Sequence, residues 1–215
     1  MRAQAERRRV VLATHNAHKV SELREILSDV TAALGIEIVG LDEVPDAPDV
    51  IENAVTFEQN ALLKAASAAK ATGMPALADD SGLAVDVLGG APGIFSARWS
   101  GGQGDAANVK LLLAQLSDVK DRDRAASFVC AAAHALPDGR SAVEVGRLAG
   151  SVGRETRGSG GFGYDPIFVP EGQGNDQADA GRTLAEYTAE EKNAISHRSR
   201  AFRALIPHLK EHLSS

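Results

Sequence analysis

The chain has 215 residues, 44% of them hydrophobic, enough apolar material to bury a sizeable core in one domain or in two closely associated lobes. Its net charge is -6, and the basic residues are scattered after the first nine positions, so no stripe of Lys and Arg offers a footprint for DNA or RNA. The single cysteine, Cys130, excludes an intrachain disulfide and fits a reducing compartment.

Residues 1–9 read as a polar, basic tail, followed by a single domain of two lobes over 10–213. The run Val10-Val11-Leu12-Ala13 falls short of the roughly 7–15 residues of a signal core, and no stretch reaches the ~20 apolar residues of a membrane helix. A soluble, cytoplasmic protein with no membrane partner is expected. That first run reads as a buried strand, ended by Thr14, His15 and Asn16. Val20, Leu23, Leu27, Val30 and Leu34 recur at helical steps, which predicts one amphipathic helix over 17–34, with Asn16 as N-cap and Gly35 as stop. Residues 36–41 are the next strand, and strand, helix, strand makes a parallel crossover the default. Pro45, Pro48 and several acidic side chains mark 42–55 as a loop. Thr56 and Gln59 form a capping-box pattern that opens an Ala-rich helix running to Thr72 and closed by Gly73.

Two apolar runs then flank Asp79-Asp80-Ser81-Gly82, and the pattern predicts strands over 75–79 and 83–88 joined by a turn. Gly89-Gly90-Ala91-Pro92-Gly93 breaks the pattern. A helix over about 105–117 and a charged linker at 118–124 follow. Strands over 125–136 and 141–150, joined by Pro137-Asp138-Gly139-Arg140, would form the arms of a long curved sheet. Thr188 and Glu191 open a C-terminal helix, which Pro207 is expected to bend or end. On an unbroken helix Lys192, His197 and Arg198 would point at about 0, 140 and 240 degrees, at roughly 100 degrees per residue. If they share one ligand, a break must fall near Ser196, which would then cap the final helix.

The pair Asp79-Asp80 carries the strongest chemical signal, because buried carboxylates require a cation or donor. Adjacent strand residues face opposite ways, so one of the two is primary. Asp80, at the expected turn beside Ser81, is the candidate; the alternative is an Asx turn in which it only bonds backbone amides. Asp86 reads as outward-facing. Thr14, His15, Asn16, Ala17, His18 and Lys19 lie where a strand meets a helix N-terminus, a place that favours phosphate; plain capping residues and a solvated lysine are the alternative. No Walker loop, zinc-ligand spacing or nucleophile elbow is present.

Gly158, Gly160 and Gly163 match a dinucleotide spacing, but the extended run that follows lacks the helix this fingerprint needs. A loop that brings Phe162 or Tyr164 against a flat ring, with Asp165 as acceptor, explains the segment better, although Tyr164 in a core fits equally. His197 and Arg198 are paired donors suited to a carbonyl or phosphate oxygen, or else a solvated helix face. Together these groups point to a metal-assisted site for a phosphorylated, ring-bearing small molecule.

Six motifs taken jointly sharpen this reading: Thr14-x-Asn16-x-x-Lys19; Ala78-Asp79-Asp80-Ser81-Gly82-Leu83; Gly89-Gly90-Ala91-Pro92-Gly93; Ser96-Ala97-Arg98-Trp99; Gly160-Gly161-Phe162-Gly163-Tyr164-Asp165-Pro166; and Glu191-Lys192-x-x-Ile195-Ser196-His197-Arg198. In this order, across about 10–209, the chain resembles the inosine triphosphate pyrophosphatase family, and within it the bacterial branch that acts on dITP and XTP. The resemblance implies an elongated, two-lobed α/β fold with a central curved mixed sheet flanked by helices, an active-site cleft between the lobes, and a homodimer. It implies Mg²⁺-dependent hydrolysis of nonstandard purine nucleoside triphosphates (dITP, ITP, XTP) to the monophosphate and pyrophosphate. By motif, Asp80 is general base and metal carboxylate, residues 14–19 hold phosphates and Ser81 touches substrate. Phe162, Gly163, Tyr164 and Asp165 pack and orient the nucleotide, and Lys192, His197 and Arg198 bind it. Many relatives carry an acidic pair and Thr-Gly before the Ala-rich helix; here the stretch is Ile51-Glu52-Asn53-Ala54, which leaves Glu52 as the candidate second metal carboxylate. A sensor that holds a purine nucleotide without cleaving it is the reading from a different class.

Overall fold

The computed structural model describes residues 8–44, 50, 52–172 and 181–213. Strands β1 (Arg8–Leu12), β2 (Ile36–Gly40), β3 (Ala76–Val85), β4 (Ala125–Ala135), β5 (Ser141–Val152) and β6 (Phe168–Pro170) form one sheet in the order β2-β1-β3-β4-β5-β6. β1 runs parallel to both β2 and β3, whereas β5 and β6 pair antiparallel, so the sheet is mixed. Helices α1 (Ala17–Ile26), α2 (Ser28–Leu34), α3 (Phe57–Thr72), α4 (Asp105–Gln115), α5 (Ala189–Ile195) and α6 (His197–Leu213) complete the α/β fold. Among the described residues no helix is long and apolar enough to cross a membrane. Residues 1–7 of the expected tail lie outside the described set, and Arg8 and Arg9 belong to β1, paired with Ile36 and Glu37.

The chain divides into two compact units. The first holds the described residues up to Asp80 together with Ala131–Gly146 and the segment from Arg200 onward; the second holds Ser81–Cys130 and Arg147–Ser199. In the first unit the core is unusually rich in alanine: Ala61, Ala65, Ala68 and Ala69 of α3 join Val11, Val39, Ala76, Ala78, Ala131 and Ala133 of the strands in one cluster. Side chains this small let a helix axis lie close to its neighbours, so even short polar groups on α3 reach the strand beside it. Thr56 caps α3 by accepting from the Gln59 amide at 3.2 Å, and Gly73 ends it in the left-handed conformation at φ 66°, as the sequence predicts.

The second unit has a core of larger residues, among them Leu83, Val85, Leu112, Leu116, Phe128, Ile167 and Phe168. Its distinctive polar feature is Arg124, only 2% exposed. The guanidinium donates to three backbone carbonyls, those of Val152 at 2.8 Å, Leu116 at 2.6 Å and Gly153 at 2.6 Å, and so joins the end of α4 to the end of β5.

Four local expectations are corrected. The helix predicted over 17–34 is two helices, because Leu27 at φ -102°, ψ 10° leaves the helical region; Gly35 still closes the second in the left-handed conformation. Asp80-Ser81-Gly82 is not a turn: β3 runs straight through it, and the chain reverses only after Val85, at the single 3-10 turn Asp86–Leu88 followed by Gly89 at φ 63°. Asp86 therefore belongs to that turn and not to a strand. Pro207 does not end α6, whose buried stripe Phe202, Leu205, Leu209 and Leu213 continues past it. The break expected near Ser196 is present: α5 stops at Ile195, Ser196 is extended at ψ 149°, and its Oγ accepts from the Ser199 amide at 3.1 Å to start α6.

Replacing Arg124 with Met keeps most of the volume and removes all three charge-assisted bonds. We expect a loss of roughly 3 kcal/mol, read as a fall in Tm of about 6–12 °C by scanning calorimetry. An unchanged Tm would show that the three carbonyls do not depend on this side chain.

Candidate active site

In the first unit the end of β1 and the start of α1 build a local frame. The Thr14 hydroxyl accepts from the Asn16 amide at 3.1 Å, and the Asn16 side chain accepts from the Lys19 amide at 3.3 Å, so both act as caps. His15 turns its Nδ1 to Asp42 at 2.5 Å, both exposed. Ala17 is the exposed first residue of α1, and the His18 side chain lies outside the described set.

Lys19 reaches Asp79, with Nζ at 3.1 and 3.2 Å from the two carboxylate oxygens. The sequence reading gives Lys19 to phosphate and names Asp80 as the primary carboxylate; the structure pairs Lys19 with Asp79. Asp80 belongs instead to α3, where Asn60 donates to its Oδ2 at 3.0 Å and Lys64 to its Oδ1 at 3.4 Å. An uninterrupted strand explains the division, because consecutive side chains leave it in opposite directions. Lys64 also binds Glu52 at 2.8 Å. Thr14, His15, Lys19, Glu52, Lys64 and Asp79 line a cavity of about 200 Å³. Asp80 stands outside that lining and meets it through Lys64. Ser81, next on β3, is half-buried.

Burial pushes the Asp80 carboxyl above its ordinary range, and the like charges of Glu52 and Asp79 push the same way, while Lys64 and Asn60 pull against them. Burial alone would lower the Lys64 ammonium, but Asp80, Asp79 and Glu52 outweigh it and hold the group above its usual value.

The second unit carries the ring-binding candidates. Asp165 is 2% exposed and accepts from the Phe162 amide at 2.8 Å and from Lys192 Nζ at 2.5 Å. Gly161, at φ 71°, has no room for a side chain, since the Asp165 carboxylate fills the space where a Cβ would stand. The Gly163 amide donates to Asp105 at 2.8 Å. Held at both ends, the loop presents Phe162 as a residue 45% exposed. Two cations flank that ring, Lys192 at 4.6 Å and Arg198 at 5.6 Å from its centroid. His197 is buried and stacks on Phe128, centroids 4.8 Å apart and planes within 10°. Tyr164 is corrected to a core residue: it is 4% exposed and its hydroxyl donates to the Ser96 carbonyl at 2.9 Å, so its side chain supports the loop from beneath.

Residues 10–208 match the Ham1 family. The dITP/XTP pyrophosphatase of Streptomyces avermitilis is 59% identical over 204 residues, which covers 94% of this chain and 98% of the relative. That of Leifsonia xyli is 53% identical over 203 residues, covering 94% and 96%. The chain belongs to the Ham1 family. Its solved structures agree: the nucleoside-triphosphatase, or dITP/XTP pyrophosphatase, of Mycobacterium abscessus is 49% identical with a TM-score of 0.73, over 93% of this chain and 99% of that one. A HAM1 protein from Coxiella burnetii is 40% identical with a TM-score of 0.81, over 95% and 99%. The resemblance read from the motifs is thereby borne out.

In this Ham1 chain, sequence reasoning missed Asn60, Lys64 and the pairing of Lys19 with Asp79. Asn60 and Lys64 stand four apart beside the stripe Ala61, Ala65, Ala68, and that placement of two polar groups along an alanine face is the signal that could have found them.

Among the described residues no group of three or more His, Cys, Asp and Glu is arranged to enclose a metal. Mg²⁺, however, commonly takes only one or two carboxylates and completes its shell with waters and substrate phosphates. Glu52 and Asp80, which share one ammonium in Lys64 and crowd one another electrostatically, fit that partial role.

The raised Asp80 has a consequence for stability. Between the ordinary carboxylate value of 3.8 and the raised folded value, the native state holds a proton that the unfolded chain releases, so stability falls as pH rises through that window and the cost is complete above it. Asp80→Asn should therefore melt higher than wild type at pH 8, and the gap should close towards pH 3. Equal melting temperatures at both pH values would contradict the assigned cost of burying this charge.

Proposed function

We propose that the protein hydrolyses the nonstandard purine nucleoside triphosphates dITP, ITP and XTP to the monophosphate and pyrophosphate, in a Mg²⁺-dependent reaction. The observation that carries this reading is Asp80, a buried carboxylate held at both oxygens by Asn60 and Lys64 and made more basic by burial. A site that only retained a polyanion would do better with cations alone, since a buried negative charge opposes phosphate. The relatives named as dITP/XTP pyrophosphatases support the choice of substrate.

The residues divide the work. Lys19 and Lys64, with the first amides of α1, spread the charge of the phosphates. Asp80 orients a water and takes its proton as the water oxygen attacks the α-phosphorus; the bond from that phosphorus to the bridging oxygen breaks, and pyrophosphate leaves with the electron pair. A carboxyl pushed above its ordinary range suits this step, since basicity closer to the working pH makes it a better proton acceptor. Glu52 and Asp80 would hold Mg²⁺, which when bound places positive charge against the phosphate oxygens. In the second unit the exposed face of Phe162 stacks on the purine, and Lys192 and Arg198 supply donors suited to a 6-oxo group. Adenine presents an amino group at that position, which these donors cannot use. The same reading makes the protein a cytoplasmic homodimer, which light scattering tests.

With Mg²⁺, the wild-type protein should release pyrophosphate from ITP, dITP and XTP with kcat/KM at least about 10²-fold above that for ATP. Asp80→Asn should lower kcat by about 10²–10⁴-fold. Tight binding of ITP with no pyrophosphate released would identify a nucleotide sensor instead.

A further inference from the structure

Asn60 has no part in the chemistry above, yet it is completely buried on α3. Its amide makes two bonds of opposite sense: Nδ2 donates to Asp80 Oδ2 at 3.0 Å, and Oδ1 accepts from the backbone amide of Ala54 at 3.0 Å. A carboxylate only accepts and a backbone N–H only donates, so these partners fix which way the amide faces. An apolar residue would leave both unmet, and Asp would set one carboxylate against another.

The start of α3 does not need this side chain for itself. Thr56 already accepts from the Gln59 amide, and Gln59 already accepts from the Val55 amide at 3.4 Å. What the Asn60 amide adds is a link between two places that matter for the reaction, the Asp80 carboxylate and the segment that carries Glu52, two residues before Ala54. One turn further along α3, Lys64 makes the parallel link, to Glu52 at 2.8 Å and to the other Asp80 oxygen at 3.4 Å. A carboxylate held at each oxygen by groups on one rigid helix cannot swing about its last torsion, and the carbonyl end of Asn60 keeps the Glu52 segment in register with it.

We propose that Asn60 is a positioning residue for the pyrophosphatase reaction: it sets the plane of the Asp80 carboxylate and ties the Glu52 segment to it. This rests on the activity proposed above. It acts through Asp80 and does not touch substrate.

Two measurements test it. The first is urea unfolding at pH 8, without nucleotide or metal, of wild type, Asn60→Ala, Asp80→Ala and the double variant. Asn60→Ala should lower the folding equilibrium constant about tenfold more when Asp80 is present than when it is absent. Effects that simply multiply, within about twofold, would overturn the grip on Asp80. The second is ITP hydrolysis at a temperature where circular dichroism shows every variant folded. Asn60→Ala should lose about 10–100-fold in kcat, with KM for ITP within about threefold of wild type. Asn60→Asp, nearly identical in shape, should be no better than Asn60→Ala. A role in packing alone predicts the reverse ranking, so Asn60→Asp at wild-type kcat overturns the proposal. An inactive wild type overturns the reaction and this role with it; coupled unfolding in that same protein would show that the contact is nonetheless real. Uncoupled unfolding in an active wild type removes Asn60 alone.

Discussion

The arrangement in the first unit follows from one constraint, a carboxylate that must stay charged while sheltered from water. Asp80 is 7% exposed, and among the described residues the desolvation of its charge is opposed by two groups, both on α3. Asn60 has a short side chain and can reach Asp80 only if the helix lies close to β3. That closeness in turn requires the alanines at 61, 65, 68 and 69, which face further alanines at 76, 78, 131 and 133. The small residues of the core and the polar residues of the site are thus two sides of one requirement. Burial raises the basicity of the carboxylate, and the helix limits how far.

The second unit solves a related problem with a different device. Its loop must hold a large aromatic ring partly in water, and it does so by fixing the backbone on both sides of Phe162. Asp165 accepts from the Phe162 amide and binds Lys192, Asp105 accepts from the Gly163 amide, and Tyr164 is anchored in the core below. Lys192 serves as counterion to Asp165 and as a cation beside the ring. The interruption at Ser196 lets residues on either side, Lys192 and Arg198, flank the same ring, which an unbroken helix would not permit.

Much of this was legible in the sequence, and the part that was not has a common cause. Signals carried by one residue and its near neighbours were readable: the Thr56 cap, the left-handed glycines at 35 and 73, the turn at 137–140, and the break at Ser196. The six motifs in order gave the family. Pairings between distant residues were not readable. Nothing in the segment around Asp80 says that α3 will neutralise it, and without that knowledge two adjacent carboxylates look like the tip of a turn. The same gap hid the pairing of Lys19 with Asp79 and passed over Asn60 and Lys64, which in a helix rich in alanine look like ordinary solubilising residues. Tyr164 was ambiguous for another reason, since a phenol with one polar end suits a ligand and a core equally until the acceptor, here the Ser96 carbonyl, is known.

The alanine face of α3 also makes this protein fragile in an unexpected place. Ala65 is completely buried in that cluster, so a larger side chain there would press on its neighbours and push the helix outward. Asn60 and Lys64 would travel with it, so both supports of the carboxylate would lengthen together. A variant of that kind could fold, keep every charged residue, and still behave as an active-site lesion, although the altered atom belongs to the hydrocarbon interior.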